Sequence, residues 1–138
     1  MTLKRGVLWF DGASRGNPGI SGAGAVLAVD GARFRVAQPV PGRATNNVAE
    51  YHGLLAGLRV AREHGVTHLE VRGDSELVLR QMTGQYRVLK PRLQPLHAEA
   101  QALVRGFAEV QWLHVPRSAN AEADAQANLG ADEAERRG

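Results

Sequence analysis

The chain of 138 residues contains no cysteine. That excludes a disulfide framework, a thiol nucleophile and a cysteine-based zinc site. Long apolar runs are missing too. Near the N-terminus, Lys4 and Arg5 precede only Val7 to Phe10 before Asp11 interrupts. Four apolar residues are too few for a secretory signal or a membrane span. These absences predict a cytoplasmic protein with no membrane partner. No internal repeat and no low-complexity linker divides the chain, and its length suits one core, so residues 1–138 are expected to form a single domain. One local absence says more. Residues 77 to 98 carry Arg80, Arg87, Lys90 and Arg92 and no acid, in a chain of net charge +3. Such a stretch suits a phosphate backbone as well as it suits a solvated face.

What is present begins with glycine. The stretch WFDGASRGNPGISGAGAVL places Asp11 at the end of an apolar run and five glycines soon after it. It lacks the Gly-Lys-Ser/Thr triplet of a P-loop. Its glycines do not keep G-x-G-x-x-G spacing before a helix, as a dinucleotide loop requires. GNPG is turn chemistry: Pro18 fixes one dihedral, and Gly19 permits a positive φ. The stretch therefore connects two strands and leaves an acid at their lip.

Strands are expected over 5–11, 20–30 and 33–40, the last two joined by the hairpin signal Asp30-Gly31. The period then changes. Tyr51, Leu54, Leu55, Leu58 and Ala61 recur at helical spacing until Gly65. THLEVRG reads as a fourth strand, SELVLRQMTG as a short helix, LQPLHAEAQALVRGF as another helix, EVQWLHV as a fifth strand and SANAEADAQANLGADEAE as a last helix. Trp9 and Trp112 fall on strands and are expected in the core. Arg136, Arg137 and Gly138 are expected to fray. The order is βββαβαβα, counting the two helices between the fourth and fifth strands as one crossover. This is an α/β protein with one mixed five-stranded sheet and helices on its faces. Strands 1 to 3 form an antiparallel meander, and right-handed crossovers lay strands 4 and 5 parallel to strand 1.

Three further acids can join Asp11. Glu50 lies early in the helix after TNN, Asp74 follows the fourth strand, and Asp124 opens the last helix. Each has a plain structural use. Asn47 to Glu50 has capping-box spacing, Asp74 can cap a helix, and Asp124 complements a helix dipole. Together they suggest something else. Asp11 and Asp74 end two neighbouring parallel strands, the edge where open α/β sheets bind ligands. Four converging carboxylates repel one another and raise one another's pKa. A divalent cation relieves this, and an all-oxygen donor set suits Mg²⁺ or Mn²⁺ rather than zinc.

The motifs FDGASRGNPG, TNNVAEYHGLLAGL, GDSELVLRQ and VPRSANAEADAQAN, in that order, resemble ribonuclease HI over nearly the whole chain. The resemblance implies a ribonuclease-H-like fold and makes Asp11, Glu50, Asp74 and Asp124 the metal-binding catalytic carboxylates. It implies hydrolysis of the RNA strand of an RNA–DNA hybrid, leaving 3′-hydroxyl and 5′-phosphate ends, with two Mg²⁺ or Mn²⁺ ions per site. By position, Asn17, Asn46 and Asn47 match residues that look toward the minor groove. Gly12 and Ala13 would let backbone amides approach the RNA strand. Arg43 and Thr45 resemble a phosphate pocket for the DNA strand. No obligatory protein partner is implied.

Two departures stand out. TGQYRVLKPRLQP is too short to hold the extra basic helix of many ribonucleases HI. The usual loop histidine before the last acid is also missing: Arg117 occupies that loop and is the expected stand-in, and His114 is the nearest histidine. Two other readings stand beside the enzyme. One is a non-catalytic module binding hybrid or double-stranded RNA. The other is a related metal nuclease with a different substrate.

Overall fold

The computed structural model describes residues 2–138. β1 (Arg5–Gly16), β2 (Gly19–Val29) and β3 (Ala32–Ala44) form the antiparallel meander. α1 (Asn46–Glu63) leads into β4 (His68–Gly73). α2 (Glu76–Met82) and α3 (Gln94–Val104) precede β5 (Glu109–His114), and a 3₁₀ turn (Arg117–Ala119) leads to α4 (Ala121–Arg137). The sheet order is β3-β2-β1-β4-β5, with β4 parallel to β1 and β5 parallel to β4. Among the described residues, no helix is long and apolar enough to cross a membrane.

Local chemistry sets the meander. Asp30 and Gly31 both take positive φ, 52° and 76°, the turn geometry that matches strand twist. β1 and β2 run further than expected, pairing out to Gly16 opposite Gly19. The positive φ of GNPG falls on Gly16, at 107°, and not on Gly19. Gly19 is needed for a different reason: a Cβ there would overlap the Arg15 carbonyl.

Each face of the sheet is closed differently. Leu8, Phe10, Leu27, Leu69 and Val71 pack with Tyr51, Leu54, Leu55 and Leu58 of α1. At about 2 kcal/mol for each large apolar side chain buried, this packing fixes α1 across the sheet. On the other face lies α4, with Ala123, Ala127 and Ala131 fully buried. A Cβ at Gly24 or Gly22 would overlap the α4 backbone at Ala127 or Ala131. The glycine-rich strand and the alanine-rich helix thus approach each other closely.

One expectation changes. Trp9 is half-buried, outside the core, with the guanidinium groups of Arg33 and Arg72 each 5.2 Å from its ring. Strand alternation explains this: Leu8 and Phe10 face α1, so Trp9 faces away. Trp112 is also half-buried, but it packs against the core from β5. α4 runs through Arg137, where Glu133 and Arg137 pair at 2.7 Å and cations complement the helix C-terminus.

Candidate active site

β1 and β4 pair as far as Trp9 opposite Arg72 and then part. Asp11 and Asp74 stand just beyond that point. Glu50 reaches them because α1 sits unusually close to β1. A Cβ at Gly12 would overlap the backbone of Ala49 and Glu50, and one at Gly53 would overlap the Asp11 carbonyl. Gly12 therefore admits a helix, and its N–H donates to Asp11 Oδ1 at 2.9 Å. One oxygen from each of Asp11, Glu50 and Asp74 lies within 4.8 Å of the other two. Asp124, in the first turn of α4, stands outside this trio. Its carboxyl faces Asp11 closely enough to push that group's pKa up.

Of the plain structural uses, the helix dipole of α4 does have Asp124 in its first turn, but the two capping uses do not hold. Thr45, not Asn47, caps α1, its Oγ1 accepting from the Val48 N–H at 3.2 Å. Ser75, not Asp74, caps α2, accepting from the Val78 N–H at 3.3 Å. Glu50 Oε2 is buried with no hydrogen-bond partner among the described residues. Burial pushes the Glu50 carboxyl up to about 10, and the charges of Asp11 and Asp74 add to it. Asp11, only 5% exposed, rises to about 6, again chiefly through burial. The cation nearest Asp74 is Arg117, whose Nε is 3.9 Å from Oδ2, but its side chain is 90% exposed. Solvent screens such a pair. The group as a whole fits a divalent cation: oxygen donors only, one of them buried and unused, and protons held where a cation would remove them.

The expected substrate residues divide into two places. Asn17, Thr45, Asn46 and Asn47 line one wall of a cleft of about 490 Å³, and Lys90, Pro91, Arg92 and Leu93 line the other. Asn17 Oδ1 accepts from the Asn46 N–H at 3.0 Å, joining the β1–β2 turn to the start of α1. Arg43 is separate. It donates to the Pro18 carbonyl at 3.4 Å and lines a different groove with Arg137. Ala13 is half-buried and paired with Gly22. His114 ends β5, exposed, with Nε2 3.3 Å from the Asp74 carbonyl oxygen.

Sequence reasoning missed Asn120. It is 1% exposed and donates from Nδ2 to the Phe10 carbonyl at 2.9 Å, anchoring the start of α4 beside Asp11. Its only signal is a place four residues before Asp124. Lys90 and Arg92 are visible in the sequence as basic residues but not as a cleft wall.

Known proteins resemble this chain in sequence and fold. A family model described as reverse transcriptase-like matches residues 9–130. Ribonuclease HI of Halobacterium salinarum is 45% identical over 91% of this chain, which spans 64% of that protein's length. The crystal structure of RNase H1 from that archaeon matches with a TM-score of 0.88 at 44% identity, covering 94% of this chain and 98% of that one. The bifunctional protein Rv2228c of Mycobacterium tuberculosis is 45% identical over 93% of this chain, which spans only 36% of its length. LC11-RNase H1, solved in complex with an RNA/DNA hybrid, matches at 34% identity and a TM-score of 0.86, covering 94% of this chain and 98% of that one.

Proposed function

The chain belongs to the ribonuclease HI family, and from that premise we propose that it is a metal-dependent endoribonuclease cutting the RNA strand of RNA–DNA hybrids. The products carry 3′-hydroxyl and 5′-phosphate ends, and residues 1–138 act as one domain in the cytoplasm. The observation that carries this reading is the meeting of Asp11, Glu50 and Asp74 where β1 and β4 part, with Asp124 facing Asp11.

Asp11, Glu50, Asp74 and Asp124 would hold two ions, and the oxygen-only donors favour Mg²⁺ or Mn²⁺. Such a pair supplies activation of the attacking water and stabilisation of the leaving oxygen. The rest falls to the protein. Asn17, Asn46 and Asn47 face the cleft and are suited to reading a 2′-hydroxyl, which separates RNA from DNA. Lys90 and Arg92 from the opposite wall hold phosphates across the cleft from Thr45, and Arg43 holds one from its separate groove. Gly12 and Ala13 keep the β1 backbone thin beside the scissile strand. Arg117 stands by Asp74 as a permanent cation. It holds a phosphate but shuttles no proton at neutral pH. His114, close to the Asp74 carbonyl, steadies that turn.

The test uses labelled hybrid, RNA duplex and DNA duplex of one sequence, with Mg²⁺ and Mn²⁺ titrated in. The expected result is cleavage of hybrid alone, and only with metal. Turnover in excess chelator overturns the metal assignment. A preference for hybrid of less than severalfold overturns the substrate. Salt-sensitive binding without any cleavage leaves a binding module.

A further inference from the structure

α2 is short, and its last carbonyls find partners outside the helix. The Gly84 N–H donates to the Gln81 carbonyl at 3.2 Å, and α3 brings two side chains to the same end. His97 Nε2 lies 3.2 Å from the Gln81 carbonyl oxygen, and Gln101 Nε2 donates to the Met82 carbonyl at 3.2 Å. Four residues apart, the two project from one face of α3, and their Nε2 atoms are 3.2 Å from each other. Behind them the buried Tyr51 hydroxyl donates to Gln81 Oε1 at 2.6 Å. The Tyr51 and His97 rings meet edge to face, with centroids 6.4 Å apart. Tyr51 and Gln81 are buried, while His97 and Gln101 are half-buried. Displacing Gln81 or Tyr51 would leave a buried polar group unsatisfied.

The junction governs the connection between α2 and α3. That segment is mostly exposed, with Leu93 buried at its end. It is tied down near both ends, and the Lys90 carbonyl accepts from the Leu93 and Gln94 N–H groups at 3.0 and 3.2 Å. The Gln85 and Tyr86 N–H groups donate to the Arg80 carbonyl at 2.9 and 3.0 Å, and Gln94 Nε2 donates to the Val88 carbonyl at 3.1 Å. It carries Arg87, Lys90 and Arg92, and it links the two helices that His97 and Gln101 join.

We propose that His97 and Gln101 are positioning residues for nucleic-acid binding: by capping α2 from α3 they hold the short connection so that Lys90 and Arg92 stand across the cleft from Asn17 and Thr45. This rests on the hybrid being the ligand of that cleft. The clamp does the work that a longer basic insertion would otherwise do, placing cations at a fixed distance from the acidic centre.

The test is a double-mutant cycle on the full chain. His97→Leu and Gln101→Met are each made alone and in a Lys90→Ala/Arg92→Ala background. KM and kcat on hybrid are measured, with amide hydrogen exchange of 84–93 in the free protein. The clamp variants are expected to raise KM about fivefold, with kcat at saturating hybrid within twofold of wild type, and to speed exchange in 84–93. In the Lys90→Ala/Arg92→Ala background they are expected to raise KM no further, because the groups they position are gone. A variant that merely weakens the fold raises KM equally in both backgrounds, and that result overturns the proposal. So does unchanged KM in the presence of faster exchange, or unchanged exchange. Should either variant fail to fold, the other carries the cycle. Wild-type protein that neither binds nor cuts hybrid overturns the reading beneath this proposal as well. Wild-type cleavage with clamp variants indistinguishable from it overturns the clamp alone.

Discussion

Two walls of the molecule are built by opposite means: an acidic one where β1 and β4 part, and the basic one that lines the cleft. The acidic wall draws Asp11 from β1, Glu50 from α1, Asp74 from the end of β4 and Asp124 from α4. Its carboxylates are crowded, with Asp11 buried and the other three half-buried, and close backbone approaches that tolerate only glycine hold α1 against β1. The basic wall comes from one connection between two helices, with Lys90 and Arg92 exposed on long side chains. Chemistry at a phosphorus atom needs ligands fixed to within a fraction of an ångström, so rigidity is concentrated among the acids. Attraction for a phosphate backbone survives small displacements, so the cations can stand on a loop. Substitutions on the acidic wall should therefore act on kcat, and those on the basic wall on KM.

The sharpest division comes from Asp11→Asn. It keeps the shape of the buried side chain and removes an anionic ligand. The expected loss in kcat is about a thousandfold or more, some 4 kcal/mol of barrier, with KM for hybrid changed less than threefold. Steady-state kinetics on one labelled hybrid measure both. A KM rising tenfold with kcat intact would erase the distinction between the walls. Next in size is Gly12→Ala. The added methyl overlaps Ala49 and Glu50, and α1 must move away from β1, taking Glu50 with it. A decrease of about a hundredfold in kcat is expected, together with a lower Tm, a combination that Asp11→Asn does not produce. Full activity in Gly12→Ala would show that the close approach of α1 is not what places Glu50.

How far this arrangement is legible in the sequence follows the same division. Strand order, hairpin turn and helical faces can be read because each rests on local periodicity or on a turn such as Asp30-Gly31. The meeting of Asp11 and Asp74 can be read from topology, since parallel neighbours put both at one edge. The helix caps differ from expectation, because Thr45 and Asn47, or Ser75 and Asp74, compete within two residues and only geometry decides between them. Trp9 lies outside the expected core because a large aromatic on a strand says nothing about which face the strand presents. The partners of Gly12, Asn120 and His97 lie far along the chain, so no local pattern records them.

On the basic wall, Lys90→Ala/Arg92→Ala is expected to raise KM about tenfold and leave kcat within twofold. It should also lower the slope of log binding constant against log salt by about 2, one for each phosphate that is no longer neutralised. Fluorescence anisotropy at several salt concentrations measures the slope. An unchanged slope would remove these two residues from the nucleic-acid interface, whatever happens to KM.

The smallest effect separates the acidic wall's work from its stability. Asp11 has its pKa raised to about 6 in the fold, against an ordinary 3.8. A raised carboxyl binds its proton more tightly in the folded state than in the unfolded one. Its stabilising contribution is complete below about pH 4 and is lost as pH rises through about 6. Above that range the metal-free fold carries a buried charge that it does not neutralise. Glu50, raised to about 10, keeps its proton across the same range in the fold. Metal-free Asp11→Asn should therefore be more stable than wild type at pH 7, on the order of 2 kcal/mol, which is several degrees in Tm. At pH 4 the two should melt together. Adding Mg²⁺ at pH 7 should narrow the gap by binding the wild-type carboxylates in place of a proton. Thermal melts with and without metal at the two pH values test this. Parallel melting curves at both, insensitive to Mg²⁺, would mean that Asp11 carries no unrelieved charge and that the acidic wall, like the basic one, is simply solvated.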